Sequence, residues 1–144
     1  MLVRGAWFLF PDGISRPVTE AGIQTASGIW QTVTFLLDAG ADRTVLEARF
    51  LPLLSALALP LEESPALAGV GGKVGCSFVQ TRLRFLSETG TYVFINGPFG
   101  VFTEPASSDV SVLGRDVTNN FDVIYSYPRN EVVLIAPPHG YSLV

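Results

Sequence analysis

Thiol and imidazole chemistry are almost absent from this chain: it has one cysteine, Cys76, and one histidine, His139. A lone cysteine permits no internal disulfide and suits a reducing compartment. The start, MLVRGAWFLFPDG, holds one arginine and a short apolar patch ended by Pro11, a poor match to a secretory signal, so a cytoplasmic location is expected. Cys76 lies in an apolar strand-like pattern and His139 in a proline-rich tail, which reads as a small core residue and a solvated tail residue rather than a cysteine-protease pair. The sequence has no metal-ligand cluster and no GxSxG elbow, and in Gly69 to Lys73 the phosphate-loop spacing fails, with Val74 at the Ser/Thr position. Neither a metal nor a cofactor is therefore expected. Charge is sparse as well, at 15% of residues, and nine basic against thirteen acidic residues give −4 with no basic cluster, which argues against nucleic acid as a partner. The longest apolar stretch, residues 50–61, contains Pro52 and Pro60 and falls short of the roughly 20 residues of a bilayer span. No membrane partner is expected.

Apolar residues, by contrast, make up 48% of the 144 positions. That is greasy for a single domain spanning residues 1–144, and part of the surplus fits a subunit interface. Strand patterns dominate. Residues 16–24 and 29–37 flank Ala26-Ser27-Gly28, a turn signal between β-rich runs, so a hairpin leads straight into Asp38. Residues 44–59 have helical apolar spacing that Pro52 should interrupt or restart, predicting one or two short helical turns. Residues 66–86 read as a long hairpin with a glycine-rich tip. Residues 91–95 and 100–103 are short strands about the turn Asn96-Gly97-Pro98. A short helix is predicted over 116–121, a closing hairpin over 122–127 and 131–136 about Pro128-Arg129-Asn130, and an irregular tail over 137–144. Trp7, Phe8, Phe10 and Trp30 suit core or interface packing better than a ligand cage.

Two segments carry chemistry. FLLDAGAD, residues 35–42, ends an apolar strand in a carboxylate, Asp38, with small residues beside it. SVLGRD, residues 111–116, closes a second apolar strand with a glycine. Alone, an aspartate after a strand is an ordinary turn residue. Together the segments resemble the retroviral-type aspartic proteases, or retropepsins. In that family one strand delivers a single aspartate, a second apolar-apolar-glycine strand crosses behind it, and two identical chains supply the pair of carboxylates.

The resemblance implies an all-β protomer: a small closed acid-protease-like barrel with a glycine-rich hairpin flap and one short C-terminal helix. It implies a homodimeric aspartic endopeptidase acting on a peptide or protein substrate without a cofactor. Asp38 takes the catalytic position. Gly40, Asp42 and the flap-tip residues Val70, Gly71 and Gly72 take substrate-binding positions, while Ala39, Ala41, Gly114 and Arg115 support the site. A bidentate pair between Arg115 and Asp42 would tie the catalytic turn to the short helix. The family has threonine or serine where Ala39 stands, its hydroxyl crossing the dimer axis. A methyl group cannot make that bond, and an unsatisfied buried partner costs about 1–3 kcal/mol. A weaker dimer or slower catalysis is the expectation. Two rival readings are a dimer of the same fold that binds a partner peptide without cutting it, and an unrelated β-barrel binder.

Overall fold

A computed structural model of the chain describes residues 1–65, 75–105 and 110–138. The first hairpin follows the expected pattern, with β2 (Ser15–Gln24) and β3 (Trp30–Leu37) in antiparallel register from Val18 opposite Leu36 to Gln24 opposite Trp30. Gly28 adopts φ +86° at the turn, a conformation few other residues tolerate, and its N–H donates to Thr25 O at 2.9 Å. Alternation along β3 buries Val33, Phe35 and Leu37. An additional strand, β1 (Leu2–Leu9), precedes the hairpin where the sequence reading had only an apolar patch.

The segment 44–59 mixes types. β4 (Val45–Leu46) comes first, then a 3₁₀ turn over Ala48–Phe50, α1 (Leu51–Leu54) and another 3₁₀ turn over Ser55–Leu57. Pro52 sits in the first turn of α1, where its missing N–H costs nothing, so it restarts the helix rather than breaking it. Of the hairpin expected over 66–86, residues 66–74 lie outside the described residues, and the described part is two strands rather than one. β5 (Cys76–Val79) pairs with β8 (Phe99–Phe102), whereas β6 (Arg82–Leu86) pairs with β2 and β7 (Tyr92–Asn96). The direction changes at Thr81, whose hydroxyl donates to Gln24 O at 2.6 Å. Backbone bonds from Leu59 N–H to Phe78 O and from Gln80 N–H to Leu57 O bring residues 57–59 beside 78–80. The tip residues Val70, Gly71 and Gly72 lie outside the described residues, as does His139.

The chain ends in β9 (Ser111–Leu113), α2 (Arg115–Thr118), β10 (Asp122–Ser126) and β11 (Glu131–Ile135). The helix begins one residue earlier than expected and is shorter, because after Thr118 the chain turns through Asn119 and Asn120. Phe121, expected as its last residue, packs edge-on against Phe85 at 5.5 Å in the core.

The strands form one sheet in the order β10-β11-β1-β2-β3-β9-β4-β8-β5, with β6 attached to β2 and β7 to β6. This corrects the closed barrel: among the described residues the path ends at β10 and β5 without joining them. The reason lies in β2, which serves three neighbours. Its first residues pair with β1, the rest with β3, and Gly22 and Ile23 also with β6, so the sheet branches. β1 likewise divides, with Leu2 to Gly5 on β11 and Ala6 to Leu9 on β2. Gly5 makes that crossing possible, since a Cβ there would lie 2.3 Å from Val18 O. The core gathers Phe35, Phe50, Phe85, Phe99, Leu113 and Leu134, each contributing about 1.5–3 kcal/mol by burial. Trp7, partly buried, packs against this core, whereas Phe8, Phe10 and Trp30 are not part of it. No helix among the described residues is long and apolar enough to cross a membrane.

Candidate active site

β9 threads between β3 and β4. It runs parallel to β3, with Leu37 beside Leu113, and antiparallel to β4 through Val45 and Val112. Asp38 follows directly on β3, and its N–H donates to Leu113 O at 3.2 Å, so the backbone carrying the carboxylate is fixed to the crossing strand. The next residues form a tight turn, with Ala41 N–H donating to Asp38 O at 3.1 Å and Gly40 N–H donating to Asp38 Oδ1 at 2.9 Å. Asp38 is partly exposed, and the Gly40 bond is the only side-chain hydrogen bond it makes among the described residues. A Cβ on Gly40 would stand 3.2 Å from Asp38 Oδ1. Glycine therefore keeps this side of the carboxylate open.

The turn is clamped from α2. Arg115 N–H donates to Ala41 O at 2.8 Å, Arg115 Nη1 donates to Ala39 O at 3.3 Å, and Arg115 Nη2 pairs with Asp42 Oδ1. The expected ion pair thus forms, but through one nitrogen, because the other end of the guanidinium fork reaches the backbone of the turn. Both side chains are about half exposed, so the ionic part contributes little, roughly 0–1 kcal/mol. Gly114 is needed for the close approach: a Cβ there would lie 2.5 Å from the carbonyl carbon of Arg43.

Two residues that motif reasoning passed over complete the clamp. Thr44 is fully buried, and its hydroxyl accepts from Gly114 N–H at 3.0 Å and donates to Asp116 Oδ1 at 2.7 Å. Thr44 N–H donates to Asp116 Oδ2 at 3.0 Å. Asp116 thereby binds the start of β4 to the first turn of α2 with a charge-assisted pair of bonds. A polar residue opening the apolar run 44–46, matched by an acid just inside a short helix, was the available signal. Behind β9, buried Ser111 donates to Glu47 Oε1 and accepts from Glu47 N–H, both at 3.0 Å.

The charge of Asp38 also reaches β10. Burial holds the Tyr125 phenol above its ordinary range, and the nearby Asp38 carboxylate adds to that effect by disfavouring phenolate. Tyr125 belongs to an aromatic group around Trp7, whose ring centroid lies 6.2 Å from Tyr125 and 5.1 Å from Tyr127. Cys76 stands apart from all this. Its thiol is half-buried and burial raises its pKa, which opposes a nucleophilic role. Among the described residues no three His, Cys, Asp or Glu side chains are grouped to hold a metal ion.

A single aspartate on a β-strand end, a crossing apolar strand closed by glycine, and an arginine clamp thus come together on a mostly β scaffold. The retroviral aspartyl protease family matches residues 14–124, and the chain belongs to that family. Among solved structures, a retropepsin-like aspartic protease from Rickettsia conorii is similar, with a TM-score of 0.55 and 13% identity over 93% of this chain and 88% of that one. At that identity the likeness is one of fold. No curated protein matches the chain.

Proposed function

We propose that the chain is an aspartic endopeptidase that works as a homodimer, with Asp38 of each copy facing the other across a twofold axis. The observation that carries this reading is the pinned turn: Asp38 is fixed to Leu113 through its backbone, oriented by Gly40 N–H and braced by Arg115, in a chain of the retroviral aspartyl protease family. Peptide hydrolysis without a metal or covalent intermediate needs a base to activate water and an acid to protonate the carbonyl oxygen. Two carboxylates about 3 Å apart share one proton and can do both. The ionised member takes a proton from water as its oxygen attacks the carbonyl carbon. The protonated member gives its proton to the carbonyl oxygen, forming a tetrahedral gem-diol. The pair then gives its proton to the amide nitrogen, and as the C–N bond breaks a gem-diol hydroxyl yields its proton to the pair, leaving a carboxylic acid and an amine and restoring the shared proton. One Asp38 cannot hold both roles, which is why the site requires a second copy.

Substrate would lie extended beside Gly40 and Asp42, with backbone hydrogen bonds fixing its register. Pockets favouring apolar side chains near the scissile bond fit the chain's composition. A second reading has a specific observation behind it: exposed Ala39 offers only a methyl group where the family has a hydroxyl, which favours a peptide-binding dimer with weak or no catalysis. Incubation with an apolar-rich peptide library between about pH 4 and 6 separates the two. The protease reading expects cleavage that disappears in Asp38→Asn. Intact peptide at every pH from a verified dimer would replace it with the binding module.

A further inference from the structure

The branch of the sheet carries a second built surface at the opposite end of β3 from Asp38. Eight residue steps of strand, at roughly 3.3 Å each, separate Trp30 from the carboxylate. Alternation on β6 sends Leu83 and Phe85 into the core and turns Arg82, Arg84 and Leu86 outward, while β7 turns out Tyr92 and Phe94. The Arg84 guanidinium lies 4.4 Å from the ring centroids of both Trp30 and Tyr92. Arg82 lies 5.0 Å from Phe94 and 5.5 Å from Trp30. Beneath them is Gly22, where a Cβ would stand 3.1 Å from Arg84 Cγ and 3.3 Å from the Trp30 ring. The missing side chain lets Arg84 lie down between the rings. Beside it runs a groove of about 200 Å³ bordered by Trp30, Arg84, Leu86 and Tyr92, with Glu20 also on its lining.

Two features make this face unusual on this molecule. Arg4, Arg16, Arg49, Arg115 and Arg129 each pair with a carboxylate, whereas Arg43, Arg82 and Arg84 form no ion pair among the described residues, and of these only Arg82 and Arg84 stack on aromatic rings, with Arg82 Nε also donating to Gln24 Oε1 at 3.3 Å. Leu86, Tyr92 and Phe94 stay 56%, 40% and 50% exposed around them, on an arm whose last strand, β7, has no further neighbour among the described residues. Stacked guanidiniums have already lost much of their side-chain freedom and keep their remaining N–H groups for anions, so carboxylates would bind them at low further entropic cost. The rings offer faces to apolar side chains.

We propose that this face docks an extended acidic peptide segment in which Asp and Glu alternate with aromatic or leucine residues. Carboxylates meet Arg82 and Arg84, and the apolar side chains cover Leu86, Tyr92 and Phe94. Glu20 repels a uniformly anionic chain, and the net charge of −4 repels polyanions at longer range, which favours a mixed peptide over a nucleic acid backbone. The proposal is independent of the protease reading.

The test uses the full chain carrying Asp38→Asn, so that no peptide is cut, and a fluorescein-labelled peptide of Glu, Asp, Leu and Tyr read by fluorescence anisotropy. Expected is saturable binding that weakens severalfold between low and physiological salt and falls at least about tenfold in R82S/R84S. G22A, which displaces Arg84 without removing charge, should lose part of the affinity while keeping the melting temperature close to that of the parent. Equal binding of a Lys-for-Glu/Asp peptide, or unchanged binding in both variants, overturns the proposal. Tighter Arg-dependent binding of an oligothymidylate would make the face a nucleic-acid site instead. A fall in particle mass in R82S/R84S would make it an interface between copies.

Discussion

The turn at Asp38 and the outer face at Arg84 hold their charged groups by opposite means. At the turn, backbone N–H and C=O groups do the fixing: Leu113, Gly40, Ala41 and Arg115 bind each other within a few residues of the carboxylate, and buried Thr44 and Asp116 brace them. On the outer face the guanidiniums are held mainly by ring faces and by the absence of a side chain at Gly22, with one hydrogen bond from Arg82 to Gln24. Hydrogen bonds fix a group to within a narrow range of directions, which acid–base chemistry demands. Stacking holds a group flat while leaving its edges free, which recognition of an outside partner can use.

The largest way to break the contrast is at the carboxylate itself. Asp38→Asn should reduce peptide cleavage by at least about 10²–10⁴-fold while leaving acidic-peptide binding on the outer face unchanged. R82S/R84S should do the reverse, with cleavage of short peptides unaltered. Loss of both functions in either variant would mean that the two regions are one site.

Next in size is the packing under the turn. Gly114→Ala drives a methyl group into the Arg43 backbone, 2.5 Å from its carbonyl carbon. Denaturant unfolding should show a loss of about 1–3 kcal/mol, with proteolytic activity falling further than stability because α2 carries Arg115. A variant as stable and active as the parent would show that the clamp is dispensable. Smaller again is the effect of restoring the hydroxyl: Ala39→Ser should tighten dimerisation by about 1–3 kcal/mol, read as the dissociation constant from sedimentation. An unchanged constant would remove Ala39 as the cause of a weak dimer.

The smallest effects are titrations. Removing the Asp38 charge in Asp38→Asn should let Tyr125 ionise at lower pH than in the parent, yet still above an ordinary tyrosine because its burial remains, as followed by phenolate absorbance. Asp12 provides the opposite sign on an exposed loop. Hydrogen bonds from Arg16, and then from Ile14 N–H, lower its carboxyl pKa, so the folded chain holds that proton more weakly than the unfolded one. The resulting stabilisation is present above the ordinary carboxylate range and fades as pH falls through the lowered value. In Arg16→Gln the Asp12 carbon resonance should titrate closer to its ordinary pH.

What could be read from the chain beforehand divides along the same line. The β2–β3 hairpin and the strand end at Asp38 lie in short contiguous motifs, where a turn signal or small residues after an apolar run state the local geometry, whereas the partnership of Asp42 with Arg115, 73 residues apart, is legible only through the family resemblance. β1 was missed because Arg4 and Gly5 interrupt its apolar pattern, and its strand character comes from β11 and β2. β4 is two residues long inside a helix-like run, so periodicity has nothing to register. Thr81 fits strand alternation and so hid the break that separates β5 from β6. The stacking of Arg84 between Trp30 and Tyr92 unites three distant strands over Gly22, and only their pairing creates it. The branch of the sheet likewise follows from the three partners of β2, which no local pattern encodes.

The most direct test of the account mixes wild-type chains with Asp38→Asn chains, unfolds and refolds them together, and measures cleavage against the wild-type fraction. A site built from one Asp38 of each copy predicts that activity follows the square of that fraction, leaving about a quarter at an equal mixture. Activity in direct proportion to the fraction, about half at that point, would mean that each chain works alone and would contradict the shared pair.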